Sequence, residues 1–102
     1  MYRIPGKLKE LGAEIYKPAV LMMHGYLCDM QFWIANDADL APPFILADAG
    51  YDVWLGNNRG NRFSQTHLTM NKSQAEYWNF NYIDMGLHDT PSFIDFVLEK
   101  TG

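Results

Sequence analysis

Residues 19–27 read AVLMMHGYL. Five apolar residues follow Pro18 and stop on His24-Gly25. A short, continuous apolar run bounded by punctuating residues suits a strand covered on both faces, here Ala19 to Met23. Met22 and Met23 lower the β-propensity, but the run is too short for a helix. The stretch YDVWLG, Tyr51 to Gly56, repeats the pattern. Between the two runs, Asp29 is placed to cap a short helical turn carrying Phe32, Trp33 and Ile34. Pro42-Pro43 then opens a helix whose apolar side is Phe44, Ile45, Leu46 and Ala47, and Gly50 ends it. Strand, helix and strand within about 40 residues predict a βαβ unit, and so an α/β fold with a parallel sheet flanked by helices.

Outward from this unit, Tyr2 to Pro5 reads as the end of a short strand, broken by Pro5-Gly6. GKLKELGAEIYK, from Gly6, is polar and reads as a loop or surface turn. After the second strand comes NNRGNRFSQTHLTMNKSQAEYWNFN, a long irregular segment of the kind that is usually functional or packed on a partner. Asn57, Asn58, Gly60 and Asn61 are residue types that tolerate the left-handed backbone region. A last helix is predicted with Thr90 as N-cap and Pro91 as first helical residue. Its apolar stripe is Phe93, Ile94, Val97 and Leu98, and Gly102 follows.

The composition excludes several classes. The chain has 102 residues, 48% of them hydrophobic and 15% aromatic, which suits one small folded domain and not a disordered chain. The net charge of −4 comes without a Lys/Arg block, so no nucleic-acid partner is expected. No run is long enough to span a membrane, and MYRIPGKLKE shows no signal-peptide pattern. The single cysteine, Cys28, permits no internal disulfide. Three scattered histidines offer no metal-ligand spacing, so neither a metal nor another cofactor is expected.

In an open parallel sheet, ligands meet the carboxyl ends of the strands. His24-Gly25-Tyr26 and the Gly56 to Gly60 turn stand at two such ends. A strand stopping at Gly25 can expose the next backbone N–H, and a second N–H from elsewhere would complete an oxyanion hole. On these few residues alone the favoured reading is a turn that merely requires glycine, because so short a motif is weak.

Longer blocks carry a resemblance. HGYL, FILADAGYDVWLGNNRGNRFS, EYWNFNYIDM and DTPSFIDFVLEKTG resemble the acid lipase family, the α/β-hydrolase group that includes gastric and lysosomal acid lipases. The similarity runs from Tyr2 to Gly102, and ILADAGYDVWLGNNRGNRFS is its most specific part. The resemblance implies hydrolysis of triacylglycerols or sterol esters at lipid surfaces, with an oxyanion-hole N–H at Tyr26, where the family usually has leucine. It also implies residues 1–102 as the amino-terminal portion of the domain. The G-x-S-x-G nucleophile elbow of such enzymes would begin just after EKTG, and the remaining triad members and the lid later still. Ser64, Ser73 and Ser92 do not stand in that motif, so no catalytic residue is expected within this chain. The DVWL strand is expected beside AVLMM, whose far edge would seat the nucleophile strand. The family suggests a lysosomal or secreted location, which this sequence leaves undetermined.

His24 is expected to shape its turn and hydrogen-bond the neighbouring loop. His67 and His88 read as ordinary surface histidines. Together with Gly25, Asn58 and Gly60, an Arg59–Asp89 ion pair is expected to support the site by pinning loop to helix. Asn71-Lys72-Ser73 matches a glycosylation acceptor. Two functions stay open. One is the amino-terminal part of a lipase-like ester hydrolase, meeting a lipid ester only when the rest of the domain is present. The other is a non-catalytic interaction or structural subunit whose protein partner covers the strand Ala19 to Met23. The reading frame beyond Gly102 discriminates them.

Overall fold

The computed structural model describes residues 1–5 and 16–102. The loop expected over GKLKELGAEIYK therefore falls largely outside the described residues. The described chain forms a three-stranded sheet with helices on both faces. Strand β1 (Tyr2–Ile4), strand β2 (Ala19–Met22) and strand β3 (Asp52–Leu55) lie in the order β1-β3-β2. Helix α1 (Gln31–Ile34) and helix α2 (Pro42–Asp48) connect β2 to β3. Asp29 is not the cap of α1, whose N-cap position is Met30; its carboxylate accepts from the Gln31 N–H at 2.8 Å in the turn just before the helix. Pro42 and Pro43 occupy the first turn of α2, and Gly50 follows its end at φ +102°, a conformation that favours glycine.

β2 and β3 pair in parallel, Ala19 opposite Asp52 through Met22 opposite Leu55. β1 pairs antiparallel with the other side of β3, so the sheet is mixed and not wholly parallel as expected. An ion pair holds this arrangement. Arg3 donates from Nε and Nη2 to the two carboxylate oxygens of Asp52 at 2.9 and 2.8 Å. Its guanidinium lies 4.6 Å from the ring centroid of Trp54, its cross-strand neighbour. Asp52 is buried, so this fork satisfies a carboxylate that would otherwise be desolvated alone.

All four residues of β3 are buried, whereas Ala19 is exposed and the rest of β2 half-buried. The covered central strand is thus DVWL. AVLM, ending at Met22 and not Met23, lies at the sheet edge among the described residues. Alternation along β3 sorts the two faces. Val53 and Leu55 join Met30 and Ala47 in the core on the α1–α2 side. Trp54 faces the other way and meets Phe96 edge-on at 6.1 Å.

The last helix starts earlier than Thr90. Asn81 caps it, accepting from the Ile83 and Asp84 N–H groups, while Asp84 accepts from the Asn81 N–H. This reciprocal box starts α3 (Tyr82–Asp84), which continues through a π-helical turn (Met85–Asp89) into α4 (Thr90–Thr101). Thr90 is itself helical at φ −62° and ψ −48° and is not the cap. Pro91 lacks an N–H and its ring crowds the carbonyl four residues back. The wider π register just before it lets the rod continue. The expected stripe is also split. Val97 is buried and Phe93 half-buried, but Ile94 and Leu98 are exposed.

Replacing Arg3 by methionine should cost about 2–3 kcal/mol in urea unfolding, because Asp52 is left buried and unpaired. The wetter Arg3 head tolerates Asp52→Asn better, at about 1 kcal/mol.

Candidate functional site

Because β2 and β3 run parallel, their carboxyl ends lie side by side. The Gly56 N–H donates to the Met22 carbonyl at 3.1 Å and carries the pairing one residue further. Beyond it the two chains part and are tied by side chains. His24 Nε2 accepts from the Asn58 N–H at 3.0 Å and lies 3.2 Å from Asn61 Nδ2. Its Nδ1 is 2.9 Å from the Gly25 carbonyl, which fits a proton on Nδ1 and an acceptor at Nε2. His24 therefore latches the end of β2 to the loop after β3. Among the described residues no serine hydrogen-bonds it.

Gly25 to Cys28 form a tight turn, closed by the Cys28 N–H on the Gly25 carbonyl at 3.1 Å. Leu27 holds φ +60°, unusual for a residue with a branched side chain. Tyr26 and Leu27 are 75% and 90% exposed, and among the described residues nothing accepts from the Tyr26 N–H. This turn forms one wall of a groove of about 870 Å³. Arg59 and Asn61 line a second wall, and Trp78, Phe80, Tyr82 and Met85 a third.

The Arg59–Asp89 pair is present. Arg59 donates from Nε and Nη2 to Asp89 Oδ1 at 2.8 and 2.6 Å, and its backbone N–H donates to Oδ2 at 2.9 Å. Hydrogen bonding to Asp89 raises the guanidinium further above its ordinary range, against a smaller opposing effect of burial. The π-helical turn carries Asp89, so one carboxylate fixes loop and helix together. Gly60 completes the fit at φ +84°. A Cβ there would lie 2.6 Å from Phe80 Cζ and 3.0 Å from Trp78 Cζ3.

Several site residues were not anticipated. Asn57 is 2% exposed, and its Oδ1 accepts from the Met30 N–H and from Asn61 Nδ2, both at 3.0 Å. Arg62 donates to Asp29 at 2.7 Å and also to Gln31. Of the four residues read as left-handed candidates, only Gly60 has a positive φ. The asparagines instead supply side-chain hydrogen bonds, a use that the density of Asn in NNRGN signals equally well. Ser64 and Ser92 direct their hydroxyls to backbone carbonyls, those of Asn57 and His88. Exposed Asn71 accepts from the Ser73 N–H at 3.0 Å. Among the described residues no three His, Cys, Asp or Glu side chains gather as a metal site, and no helix is long and apolar enough to cross a membrane.

No family model matches the chain. Curated relatives do. The chain is 47% identical over 100 residues to lysosomal acid lipase/cholesteryl ester hydrolase of Homo sapiens, covering 98% of this chain and 25% of that protein. It is 44% identical over 102 residues to Homo sapiens lipase member K, and 43% identical over 102 residues to gastric triacylglycerol lipase of Bos taurus. Both alignments cover all of this chain and 26% of the relative. The chain thus spans about a quarter of the length of the relatives it matches, and the acid-lipase resemblance read from the sequence is borne out.

Gly60→Ala should destabilise by about 2 kcal/mol or more, since it adds a left-handed Cβ penalty to a clash with Phe80. Gly25→Ala has open space and an ordinary φ, and should stay within about 0.5 kcal/mol of the parent. Denaturant midpoints of the two variants check the contrast.

Proposed function

We propose that this chain is the amino-terminal part of an α/β-hydrolase domain that cleaves lipid carboxylic esters of the triacylglycerol or sterol ester class. In this reading residues 1–102 supply the strand ends that frame the reaction, while the nucleophile elbow, the other triad members and the lid belong to a following part of the domain. The Tyr26 N–H is one oxyanion donor. When a serine attacks the ester carbonyl, the oxygen gains charge, and a prepositioned N–H stabilises it without reorganising. The observation that supports this reading is the unpartnered Tyr26 N–H in a turn at the mouth of a groove, at the carboxyl end of β2. His24, Gly25, Asn58, Arg59, Gly60 and Asp89 would hold that turn and its opposing loop in place. Tyr26 would reshape the pocket relative to leucine while leaving the backbone donor intact. Asn71, exposed within its acceptor triplet, would carry a glycan where the chain meets the glycosylation machinery.

The test is a chimera in which residues 1–102 replace the matching segment of human lysosomal acid lipase. Ester hydrolysis should persist. Tyr26→Leu should change kcat little, whereas Tyr26→Pro, which removes the N–H, should lower it about 10²- to 10³-fold with KM nearly unchanged. Full activity in the Tyr26→Pro chimera would overturn the assignment. The chain alone should leave Ser64, Ser73 and Ser92 unlabelled by a fluorophosphonate, and labelling of any of them would place the chemistry elsewhere.

One observation favours the alternative, a non-catalytic interaction or structural subunit. Among the described residues β2 is paired on one side only, and an unpaired edge invites another strand. A protein partner would then cover the strand Ala19 to Met23. In a monomeric sample, the β2 amides that face away from β3 should exchange quickly with solvent. Slow exchange of Val20, Leu21 and Met22 alike, with no partner present, would exclude an open edge.

A further inference from the structure

We propose that Arg62 is a positioning residue, which clamps the strained Tyr26–Leu27 turn and so holds the Tyr26 N–H in place for the reaction. The inference deepens the hydrolase reading above and rests on it. The Cys28 N–H closes this turn on the Gly25 carbonyl, with Tyr26 and Leu27 as the central residues. Leu27, at φ +60°, is the one non-glycine residue with a positive φ among the described residues, so Tyr26 keeps a negative one. That combination is a type II turn, whose second central position calls for glycine or asparagine. A residue with a Cβ is disfavoured there roughly tenfold. Burial does not offset this, because the side chains of Tyr26 and Leu27 are both exposed. Such a conformation persists only where the surrounding structure imposes it, and here it must be imposed from the two ends of the turn.

His24 fixes the near end through Asn58 and Asn61. At the far end Asp29 follows Cys28 directly. Its Oδ1 accepts from the Gln31 N–H at 2.8 Å, and its Oδ2 accepts from Arg62 Nε at 2.7 Å. Arg62 Nη2 also donates to Gln31 Oε1, so one guanidinium holds two residues beyond the turn. Arg62 is itself braced. Its Cζ lies 5.1 Å from the centroid of the Phe63 ring, and that ring meets Tyr2 of β1 edge-on at 5.8 Å. Met30, one residue past Asp29, is tied to Asn57, so losing Arg62 would loosen the turn without releasing the chain. The Arg62 side chain is 58% exposed and that of Asp29 18%. A pair this wet adds little to global stability, but biasing one turn requires only that it outweigh a roughly tenfold local preference. When Leu27 leaves the left-handed region, the peptide joining it to Tyr26 rotates or the turn opens, and the Tyr26 backbone moves in either case. A catalytic donor must stay within about 0.5 Å of its productive position. Time spent in the relaxed form is therefore lost to catalysis.

In the chimera with human lysosomal acid lipase, Arg62→Met should lower kcat about fivefold with KM nearly unchanged. Arg62→Lys, which keeps a cation for Asp29, should lose only about twofold. A Leu27→Gly background removes the left-handed penalty, and the loss caused by Arg62→Met should shrink there to about 1.5-fold or less. Lys72→Gln, which removes another cation of the same loop, should leave kcat unchanged. A second measurement needs no hydrolysis. In the full chain, a strong nuclear Overhauser signal should join the Tyr26 α-proton to the Leu27 amide proton, which are close neighbours in a type II turn. Arg62→Met should weaken that signal and strengthen the one between the Tyr26 and Leu27 amide protons. A parent chimera without ester hydrolysis would overturn the hydrolase reading. An active chimera whose kcat ignores Arg62→Met, an equal fivefold loss in the Leu27→Gly background, an equal loss with Lys72→Gln, or Overhauser signals untouched by Arg62→Met would each overturn Arg62 as the positioning residue.

Discussion

Strand β3 is buried along its whole length, from Asp52 at 4% exposure to Val53 at 0%, so its backbone groups need partners on both sides. A desolvated amide without one costs roughly 1–3 kcal/mol. β1 and β2 meet that demand from opposite edges, and most of the architecture follows from it. Pairing with β2 in parallel brings the His24-Gly25 end beside the Gly56 turn. Pairing with β1 brings Arg3 onto Asp52, the one charged side chain of β3. The alternation of Val53, Trp54 and Leu55 then assigns α1 and α2 to one face and α4 to the other.

Past Gly56 regular structure stops and side chains take over the backbone's hydrogen bonds. Asn57 serves the Met30 N–H, His24 serves that of Asn58, and Asp89 serves that of Arg59. Three successive residues of one loop are thus bonded to three different elements. Such a loop is rigid because each tie crosses to a separate part of the chain, and a rigid loop can keep a groove open at the strand ends. Gly60 sets how closely the Trp78–Phe80 aromatic wall approaches.

The apolar surface left uncovered is also structured. The Cα radius of gyration is 15.7 Å, above the roughly 13 Å of a compact chain of 100 residues. Leu87, Ile94 and Leu98 are exposed along the rod formed by the π-helical turn and α4, and β2 leaves one edge open among the described residues. These features suit a chain that spans a quarter of its relatives' length, and equally a subunit with a partner.

Local signals in the sequence determined the elements. Two apolar runs stopped by glycine marked β2 and β3, Pro42-Pro43 and Gly50 bounded α2, and Asp29 placed the turn before α1. Each is settled within a few residues by backbone geometry and capping, so no distant contact was needed to read it. The Arg59–Asp89 contact was legible because both residues sit at element ends that the α/β arrangement brings together. Tertiary structure alone decided the rest. The family resemblance leaves the far edge of AVLMM without a neighbour in this chain, but only the folded sheet shows that DVWL is buried along its whole length while AVLM is half-buried, since both runs are apolar and burial depends on neighbours. The antiparallel β1 hangs on an Arg3–Asp52 fork between residues 49 positions apart, a separation that no local pattern carries. The start of the last helix was written in Asn81 and Asp84, but Thr90-Pro91 gives an equally good local start, and only the π-helical turn shows that the rod runs through it. The exposed half of α4 likewise looks in sequence like the buried half, because amphipathic spacing states which residues share a side and not whether anything covers them.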